Sequence, residues 1–343
     1  MKISELDYNY PEELIAQHPL AKRSASKMMV VERNLKKVQH ASSAELDNFL
    51  RADDLLIINN TKVAPARIFG SRRNGEPIEL LVVEPAGPAN LWRCLLKKAK
   101  RIHKNEQFFF GMQATAIAKG REGVFLLVEF KGRALKNAMQ YHGAPPLPPY
   151  INRQGLAAYS QEDRERYQTV FAKKSGSAAA PTAGLHFDEE TFAKLKAKGV
   201  EIQELTLHVG IDTFTPMRVD DSDEHKMHGE QIEISAQTAE SISNAKKAGR
   251  RVIALGTTAT RALESAYFED QIKSGSWTTH LFVTPGYQFK VVDGMITNFH
   301  QPRSTLIMLV AAFMGKDFLL ECYQTAIEHK YRLFSYGDCM LIL

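Results

Sequence analysis

The apolar positions of this chain follow two patterns, which predict two kinds of sheet. Residues 54–58 and 252–255 read Asp-Leu-Leu-Ile-Ile and Val-Ile-Ala-Leu, without alternating polar side chains. Strands of this kind are covered on both faces, as in α/β folds. Between residues 62 and 133, by contrast, six short apolar runs are separated by glycines, and no long helical pattern interrupts them. This spacing predicts a small antiparallel β-barrel, because closure of a barrel removes exposed strand edges.

Together these patterns predict a three-layer α/β main domain with an inserted small antiparallel β-barrel domain. We expect the α/β domain to be discontinuous, formed by residues 1–60 and 149–343, and the barrel domain to span residues 61–148. Residues 145–149 read Pro-Pro-Leu-Pro-Pro. Since proline cannot sit inside a helix, this stretch is a stiff connector at the end of the insertion.

Helix signals are clearest beside a run of small residues at 177–187. Carboxylates open a predicted helix at 189–198, and Gly199 ends it. A polar helix is predicted at 160–172, and Pro11 followed by two glutamates predicts another helix start.

Polar residues follow three predicted strands at the point where each strand ends. Asn60 follows the strand at 54–58, Gly256-Thr257-Thr258 follow the strand at 252–255, and His300 follows a strand at 295–299. Open α/β sheets bind ligands outside the carboxyl ends of their strands, and free N–H groups at a helix start suit an anion or a ribose. These positions are therefore candidate binding residues.

The net charge of +5 is unevenly distributed along the 343 residues. Residues 61–133 contain 14 Lys and Arg against 6 Asp and Glu, a net charge of +8, so the remainder carries −3. Such local charge suits a polyanionic partner, although a solvated lysine-rich surface gives the same pattern. Three unpaired cysteines and an N-terminus without an apolar core favour a cytoplasmic protein.

His225, His228 and Glu230 form the most metal-like group in the chain. Their spacing could suit zinc, but no other residues complete a recognised ligand set. A polar substrate loop is the better interpretation, and we predict no metal site.

The segment Ala-Pro-Thr-Ala-Gly-Leu-His-Phe at 180–187 resembles the signature of the S-adenosylmethionine:tRNA ribosyltransferase-isomerase family of queuosine biosynthesis. Similar blocks follow in the family's order along nearly the whole chain: residues 166–171, 207–210, 225–230, 256–258, 297–300 and 334–338. One position departs from the family pattern, since Asp212 stands where a second glycine is expected after Gly210.

The resemblance implies a transferase that moves and isomerises the ribosyl part of S-adenosylmethionine onto 7-aminomethyl-7-deazaguanine at the tRNA wobble position. The product would be epoxyqueuosine, with release of adenine and methionine. S-adenosylmethionine would be a consumed substrate, so no cofactor is expected. The expected partner is tRNA with a GUN anticodon that carries the deazaguanine precursor, and the protein is expected to be a cytoplasmic monomer.

Such chemistry needs a base for a C5′ proton beside the sulfonium and a proton donor for departing adenine, and imidazole suits both tasks. The histidines in family-like blocks are the catalytic candidates: His186, His208, His228 and His300. The acidic helix start beside His186 is expected to raise its pKa, which would suit a proton donor.

The remaining candidates are binding residues. Those expected to bind substrate are Asn60, Arg166, Gln168, Pro181, Thr182, Ala183, Gly184, Gly210, Glu230, Gly256, Thr257, Thr258 and Asn298. Those expected to bind tRNA are Arg72, Arg73, Lys97, Lys98, Lys100, Arg101 and Lys104.

Two alternatives stay open from the sequence. One is an S-adenosylmethionine-dependent RNA methyltransferase, although the chain lacks the glycine-rich loop after a first strand. The other is a non-catalytic RNA-binding module built on the basic β segment, although polar residues cluster at strand ends.

Overall fold

The computed structural model describes residues 1–87, 90–96, 101–153, 155–159, 161–210, 213, 216–217 and 219–343, except for the side chain of Leu156. The chain divides into two compact units. The first unit contains Met1–Lys62, Pro148–Ile151 and Gln168–Leu343, and the second contains Val63–Leu147 and Asn152–Tyr167. Residues 152–167, which the sequence placed in the α/β domain, thus belong to the second unit.

Eight α-helices and twenty strands are formed by the described residues. The helices are α1 (Leu46–Phe49), α2 (Ala134–His142), α3 (Gln161–Arg166), α4 (Glu189–Lys198), α5 (Ala236–Lys247), α6 (Thr257–Ala266), α7 (Thr305–Met314) and α8 (Lys316–Glu328). The strands are β1 (Lys27–Glu32), β2 (Lys37–Ser42), β3 (Leu55–Asn59), β4 (Thr61–Val63), β5 (Arg67–Arg72), β6 (Pro77–Pro85), β7 (Leu91–Leu96), β8 (Gln107–Phe110), β9 (Ala114–Glu122), β10 (Phe125–Phe130), β11 (Gly143–Ala144), β12 (Lys174–Ser177), β13 (Glu201–Leu207), β14 (Glu230–Ile234), β15 (Val252–Leu255), β16 (Tyr267–Phe268), β17 (Gln271–Ile272), β18 (Gly275–Thr279), β19 (Gly294–Asn298) and β20 (Cys339–Ile342).

A nine-stranded mixed sheet forms the centre of the first unit, in the order β18-β14-β13-β3-β15-β19-β20-β1-β2. Its four middle strands β13, β3, β15 and β19 are mutually parallel. The flanking strands β14 and β20 run antiparallel to them. The carboxyl ends of the four parallel strands therefore meet at one edge of the sheet.

Both faces of this sheet are buried, as the unalternating strands predicted. Along β3, Leu55 and Ile57 face one core, which includes apolar residues of α5, α6, α7 and α8. Leu56 and Ile58 face a second core with Leu46 and Leu195. The predicted three-layer α/β architecture is confirmed.

The second unit contains a closed six-stranded antiparallel barrel. Its strands run in the order β5-β6-β7-β10-β9-β8, and pairing of β5 with β8 closes the ring. Alternate residues of β6 and β10 point into a core that contains Phe108, Phe110 and Phe130. The predicted inserted β-barrel is confirmed.

Two helix predictions were wrong. The helix predicted at 160–172 is limited to α3, and β-branched Thr169 and Val170 follow it at positions that disfavour a helix. This short helix is tied to the second unit, since Arg164 Nη1 donates to the Gly143 carbonyl at 2.6 Å. After Pro11 the chain makes only a 3₁₀ turn, because its backbone pairs with Leu333 instead.

Candidate functional site

Three adjoining pockets open in the first unit, where the parallel strands end. Thr213 and Leu306 line all three. We name them by their linings. The aromatic pocket is lined by Tyr150, Phe334, Asn298 and His300; the charged pocket by Glu230, Arg261, Phe282 and Leu309; and the central pocket by Thr182, Gly256, Thr258, Asn298 and His300.

His186 lies in a buried 3₁₀ turn, Thr182–His186, and holds the Asn298 side chain in place. Asn298 Nδ2 lies 2.8 Å from His186 Nε2 and donates to the Phe334 carbonyl at 3.0 Å. Asn298 Oδ1 accepts a hydrogen bond from the Thr182 hydroxyl at 2.9 Å. These partners assign the orientation of the amide, which presents a fixed polar group to two pockets.

The same partners assign the tautomer of His186. Because the Asn298 amide nitrogen donates, His186 Nε2 accepts, and Nδ1 carries the proton and donates to Ser26 Oγ at 3.1 Å. Burial, with smaller contributions from Arg332 and Arg23, lowers the pKa of His186 to about 3. The expectation that the acidic helix start raises this pKa is wrong, because desolvation and two arginines lower it.

His300 differs from His186 because it faces both the aromatic and the central pocket. Its Nε2 lies 2.7 Å from the Thr297 hydroxyl, and its backbone N–H donates to the Tyr323 hydroxyl at 2.8 Å. Burial lowers the pKa of His300 to about 3, so the imidazole is neutral. Its second ring nitrogen has no hydrogen bond to any described residue.

Helix α6 begins at the floor of the central pocket. Gly256 precedes it with φ +100°, a conformation that favours glycine, and no side chain caps the first helical N–H groups. Asn59, at the end of β3, donates to Thr258 Oγ1 at 3.2 Å and to the Leu207 carbonyl at 3.0 Å. The helix start is thus fixed to two neighbouring strands.

Glu230 and Arg261 form a buried ion pair in the charged pocket. Glu230 Oε1 also accepts from the Gly210 N–H at 2.9 Å and from the Thr213 hydroxyl at 3.1 Å. Burial lowers the pKa of Arg261 to about 10, which leaves the guanidinium charged at neutral pH. Among the described residues, no group of three or more His, Cys, Asp or Glu side chains could hold a metal ion.

Comparison with known proteins identifies the family. The family model described as "Queuosine biosynthesis protein" matches residues 3–342. This chain belongs to that family. It is 47% identical to the S-adenosylmethionine:tRNA ribosyltransferase-isomerase of Syntrophotalea carbinolica, over all of both chains. It is 45% identical to the protein of that name from Natranaerobius thermophilus, covering 100% of this chain and 99% of the other.

A solved member of the family shares the fold. The crystal structure of S-adenosylmethionine tRNA ribosyltransferase from Thermotoga maritima has 33% sequence identity and a TM-score of 0.57, covering 99% of this chain and 100% of that one. The resemblance inferred from the motifs is confirmed, and so is the assignment of the chain to a family of enzymes. No helix of the described residues is long and apolar enough to cross a membrane.

Several of the family-like blocks lie close together in the structure, so residues predicted from separate blocks line the same pocket. Pro181, Thr182 and Ala183 line the central pocket with Gly256, Thr257 and Thr258. Gly184 does not line a pocket, and a Cβ atom there would lie 2.7 Å from both Thr169 and Phe171. Its role is therefore close packing between two blocks.

Other predicted residues lie outside the pockets. His208 is half-buried, with Nδ1 2.8 Å from the Thr61 hydroxyl, and burial lowers its pKa. Asn60 donates to Glu204 at 3.0 Å and lines a separate pocket with Lys174. His228 is exposed to solvent. Gln168 has a structural contact, since its carbonyl accepts from Arg23 at 2.7 Å. Arg166 belongs to the second unit.

The predicted tRNA-binding residues have different surroundings in the second unit. Arg72 is paired with Glu76 at 2.7 Å and with Glu106 at 2.5 Å, so its charge is compensated. Arg73, Arg101 and Lys104 are exposed. Lys97, Lys98 and Lys100 lie outside the described residues, as does Asp212.

Sequence reasoning missed several residues of the site, among them Thr213 and Leu306, which line all three pockets. Arg261 lies three and four positions after Thr258 and Thr257, so all three share one face of α6, and this spacing could have revealed it. Ser26 and Tyr150 gave no comparable signal, because tertiary contacts alone bring them to the site.

Proposed function

We propose that this enzyme transfers and isomerises the ribosyl part of S-adenosylmethionine onto 7-aminomethyl-7-deazaguanine at the wobble position of tRNA. Epoxyqueuosine forms, and adenine and methionine leave. S-adenosylmethionine is then a consumed substrate and no further cofactor is needed. The names of the family relatives support the donor and the tRNA acceptor.

One observation carries this proposal: the polar ends of the parallel strands converge on three connected pockets. The central pocket adjoins the aromatic pocket through Asn298 and His300, and the charged pocket through Thr257 and Thr258. A ligand with a planar base, a ribose and a charged side chain fits such a sequence of subsites.

His300 is our candidate for proton transfer, because it faces two pockets and its second ring nitrogen is not bonded to a described residue. The neutral imidazole can accept the C5′ proton that the adjacent sulfonium acidifies. Once it has taken up that proton, the same ring nitrogen can pass it to departing adenine.

His186 is better suited to positioning than to proton transfer. Both ring nitrogens are engaged, with Ser26 and with Asn298. Since Asn298 lines two pockets, His186 acts on the substrate through that amide.

For tRNA we propose that Arg73, Arg101 and Lys104 contact phosphates, since they are exposed cations of the basic second unit. Replacing any one with Ala should lower the slope of log K against log salt by roughly one unit. Arg72→Ala is the matched control: its charge is already compensated, so the slope should change less.

The direct test incubates the protein with labelled S-adenosylmethionine and tRNA that carries the deazaguanine precursor, and identifies the small products. Adenine and methionine in equal amounts are expected. S-adenosylhomocysteine would show a methyltransferase instead, and no turnover would leave an RNA-binding module.

A further inference from the structure

The charged pocket contains a buried ion pair in which the arginine has an unused hydrogen-bonding atom. The Arg261 and Glu230 side chains are only 8% and 3% exposed. Glu230 is fully engaged, since its Oε2 pairs with Arg261 Nη2 and its Oε1 accepts from Gly210 and Thr213. Arg261 Nε is buried without a hydrogen bond to any described residue. A buried polar atom without a partner costs free energy, so a ligand that supplies the partner gains affinity.

The walls of this pocket are apolar and lead to the central pocket. Met227, Leu281, Phe282, Val283 and Leu309 surround the ion pair. Thr257 and Thr258 line both the charged and the central pocket. The geometry therefore suits a ligand segment with a charged end and an apolar stem that continues into the central pocket.

We propose that the charged pocket binds the amino-acid end of S-adenosylmethionine, with Arg261 donating to the α-carboxylate and Glu230 facing the α-ammonium. The inference rests on the proposed function, which makes S-adenosylmethionine the ligand. The planar guanidinium suits a carboxylate, and the apolar walls suit the methylene groups. A zwitterion beside an ion pair adds no net buried charge.

This assignment makes Arg261 a specificity residue. Decarboxylated S-adenosylmethionine has the same base, ribose, sulfonium and amine but lacks the carboxylate. It would leave Arg261 without its acceptor, so wild-type protein should bind it about 10- to 100-fold more weakly than S-adenosylmethionine.

The test measures the dissociation constants of both compounds by calorimetry, without tRNA and with tRNA whose wobble guanine lacks the acceptor amine. The ratio of the two dissociation constants measures the contribution of the carboxylate to affinity, because the two compounds differ only in that group. In the double variant Glu230→Gln/Arg261→Gln, which leaves no unpaired buried charge, the ratio should fall to near one. Arg261→Lys should give an intermediate ratio, because lysine keeps the positive charge but cannot make the two parallel hydrogen bonds of a guanidinium.

The matched control is Arg250→Gln/Glu201→Gln. This Arg–Glu pair, 2.9 Å apart, lies at the amino ends of β15 and β13. Its ratio should equal that of the wild type.

A wild-type ratio near one, an unchanged ratio in the double variant, or no binding of S-adenosylmethionine under either condition would overturn the inference. Product analysis separates it from the proposed function. If adenine and methionine are released but the ratio of dissociation constants is near one, only the assignment of the charged pocket to the amino-acid end is refuted. Release of S-adenosylhomocysteine with the expected ratios would refute only the reaction.

Discussion

The two edges of the parallel strands carry similar residues but differ in how their polar atoms are satisfied. At the amino edge, Asp54 accepts from Arg251 Nε at 2.8 Å and Nη2 at 2.6 Å, and from the Arg51 N–H at 2.7 Å. Asp293 accepts from Lys246 at 2.9 Å and from the Val252 N–H at 2.9 Å. The carboxylates at this edge are therefore satisfied by partners within the protein.

At the carboxyl edge, the corresponding groups line pockets and are incompletely bonded. Arg261 Nε has no hydrogen bond to the described residues, and neither has the second ring nitrogen of His300. Both edges therefore contain buried charged side chains. What distinguishes the candidate site is the combination of an open pocket with unused hydrogen-bonding atoms.

The largest expected effect is catalytic, and it concerns two histidines of the carboxyl edge that differ in whether they face the pockets. His300→Ala should lower kcat by about 100- to 10,000-fold, the usual loss when a general acid or base is removed. The affinity for S-adenosylmethionine should change less than kcat. His208→Ala, outside the pockets, should turn over at nearly the wild-type rate. Equal losses in the two variants under saturating substrate would refute the placement of the reaction at His300.

At the amino edge, the expected effect is on stability. Arg251→Gln leaves the fully buried Asp54 carboxylate without its main partner, so the free energy of unfolding should fall by about 3 kcal/mol. Arg250→Gln breaks a more exposed pair and should cost less than about 1 kcal/mol. Urea unfolding measures both. A loss of kcat in folded Arg251→Gln protein would contradict a purely structural role for this edge.

The next effect is the pH dependence of stability that the buried His186 causes. His186 has a folded pKa of about 3 against an ordinary value of 6.5. Between these values the unfolded chain binds the proton and the folded protein does not, so stability falls as pH falls. The slope is up to about 1.4 kcal/mol per pH unit for this histidine. His186→Gln should remove that part of the slope between pH 6.5 and 5, and an unchanged slope would contradict the buried neutral imidazole.

The smallest effect is expected for Thr182, whose hydroxyl orients the Asn298 amide. Thr182→Val should lower kcat by about 5-fold, because a hydrogen bond worth roughly 1 kcal/mol fixes that amide. Thr182→Ser keeps the hydroxyl and should restore most of the rate. If the Val and Ser variants behave alike, the orientation of Asn298 does not matter for turnover.

Much of this architecture was predictable because the local pattern is strong. Unalternating strands such as β3 and β15 predicted a sheet buried on both faces, and glycine-separated runs predicted the barrel. The carboxyl-edge location of Gly256 and His300 followed from strand ends alone.

The misses have a common physical cause: they depend on contacts between distant residues. His186 seemed suited to proton donation because of the carboxylates that follow it, yet desolvation and Arg332 lower its pKa. His208 follows a strand as His300 does, but its ring bonds Thr61 outside the pockets. Sequence spacing can place a histidine at a sheet edge without determining which way its ring faces.

The central claim is that S-adenosylmethionine reacts in the pockets at the carboxyl edge. The most direct measurement is a crystal structure with Se-adenosylselenomethionine and tRNA lacking the acceptor amine, in which anomalous scattering locates the selenium. We expect the selenium peak in the central pocket, between His300 and Thr257. A peak at the amino edge, or anywhere outside the three pockets, would contradict this account.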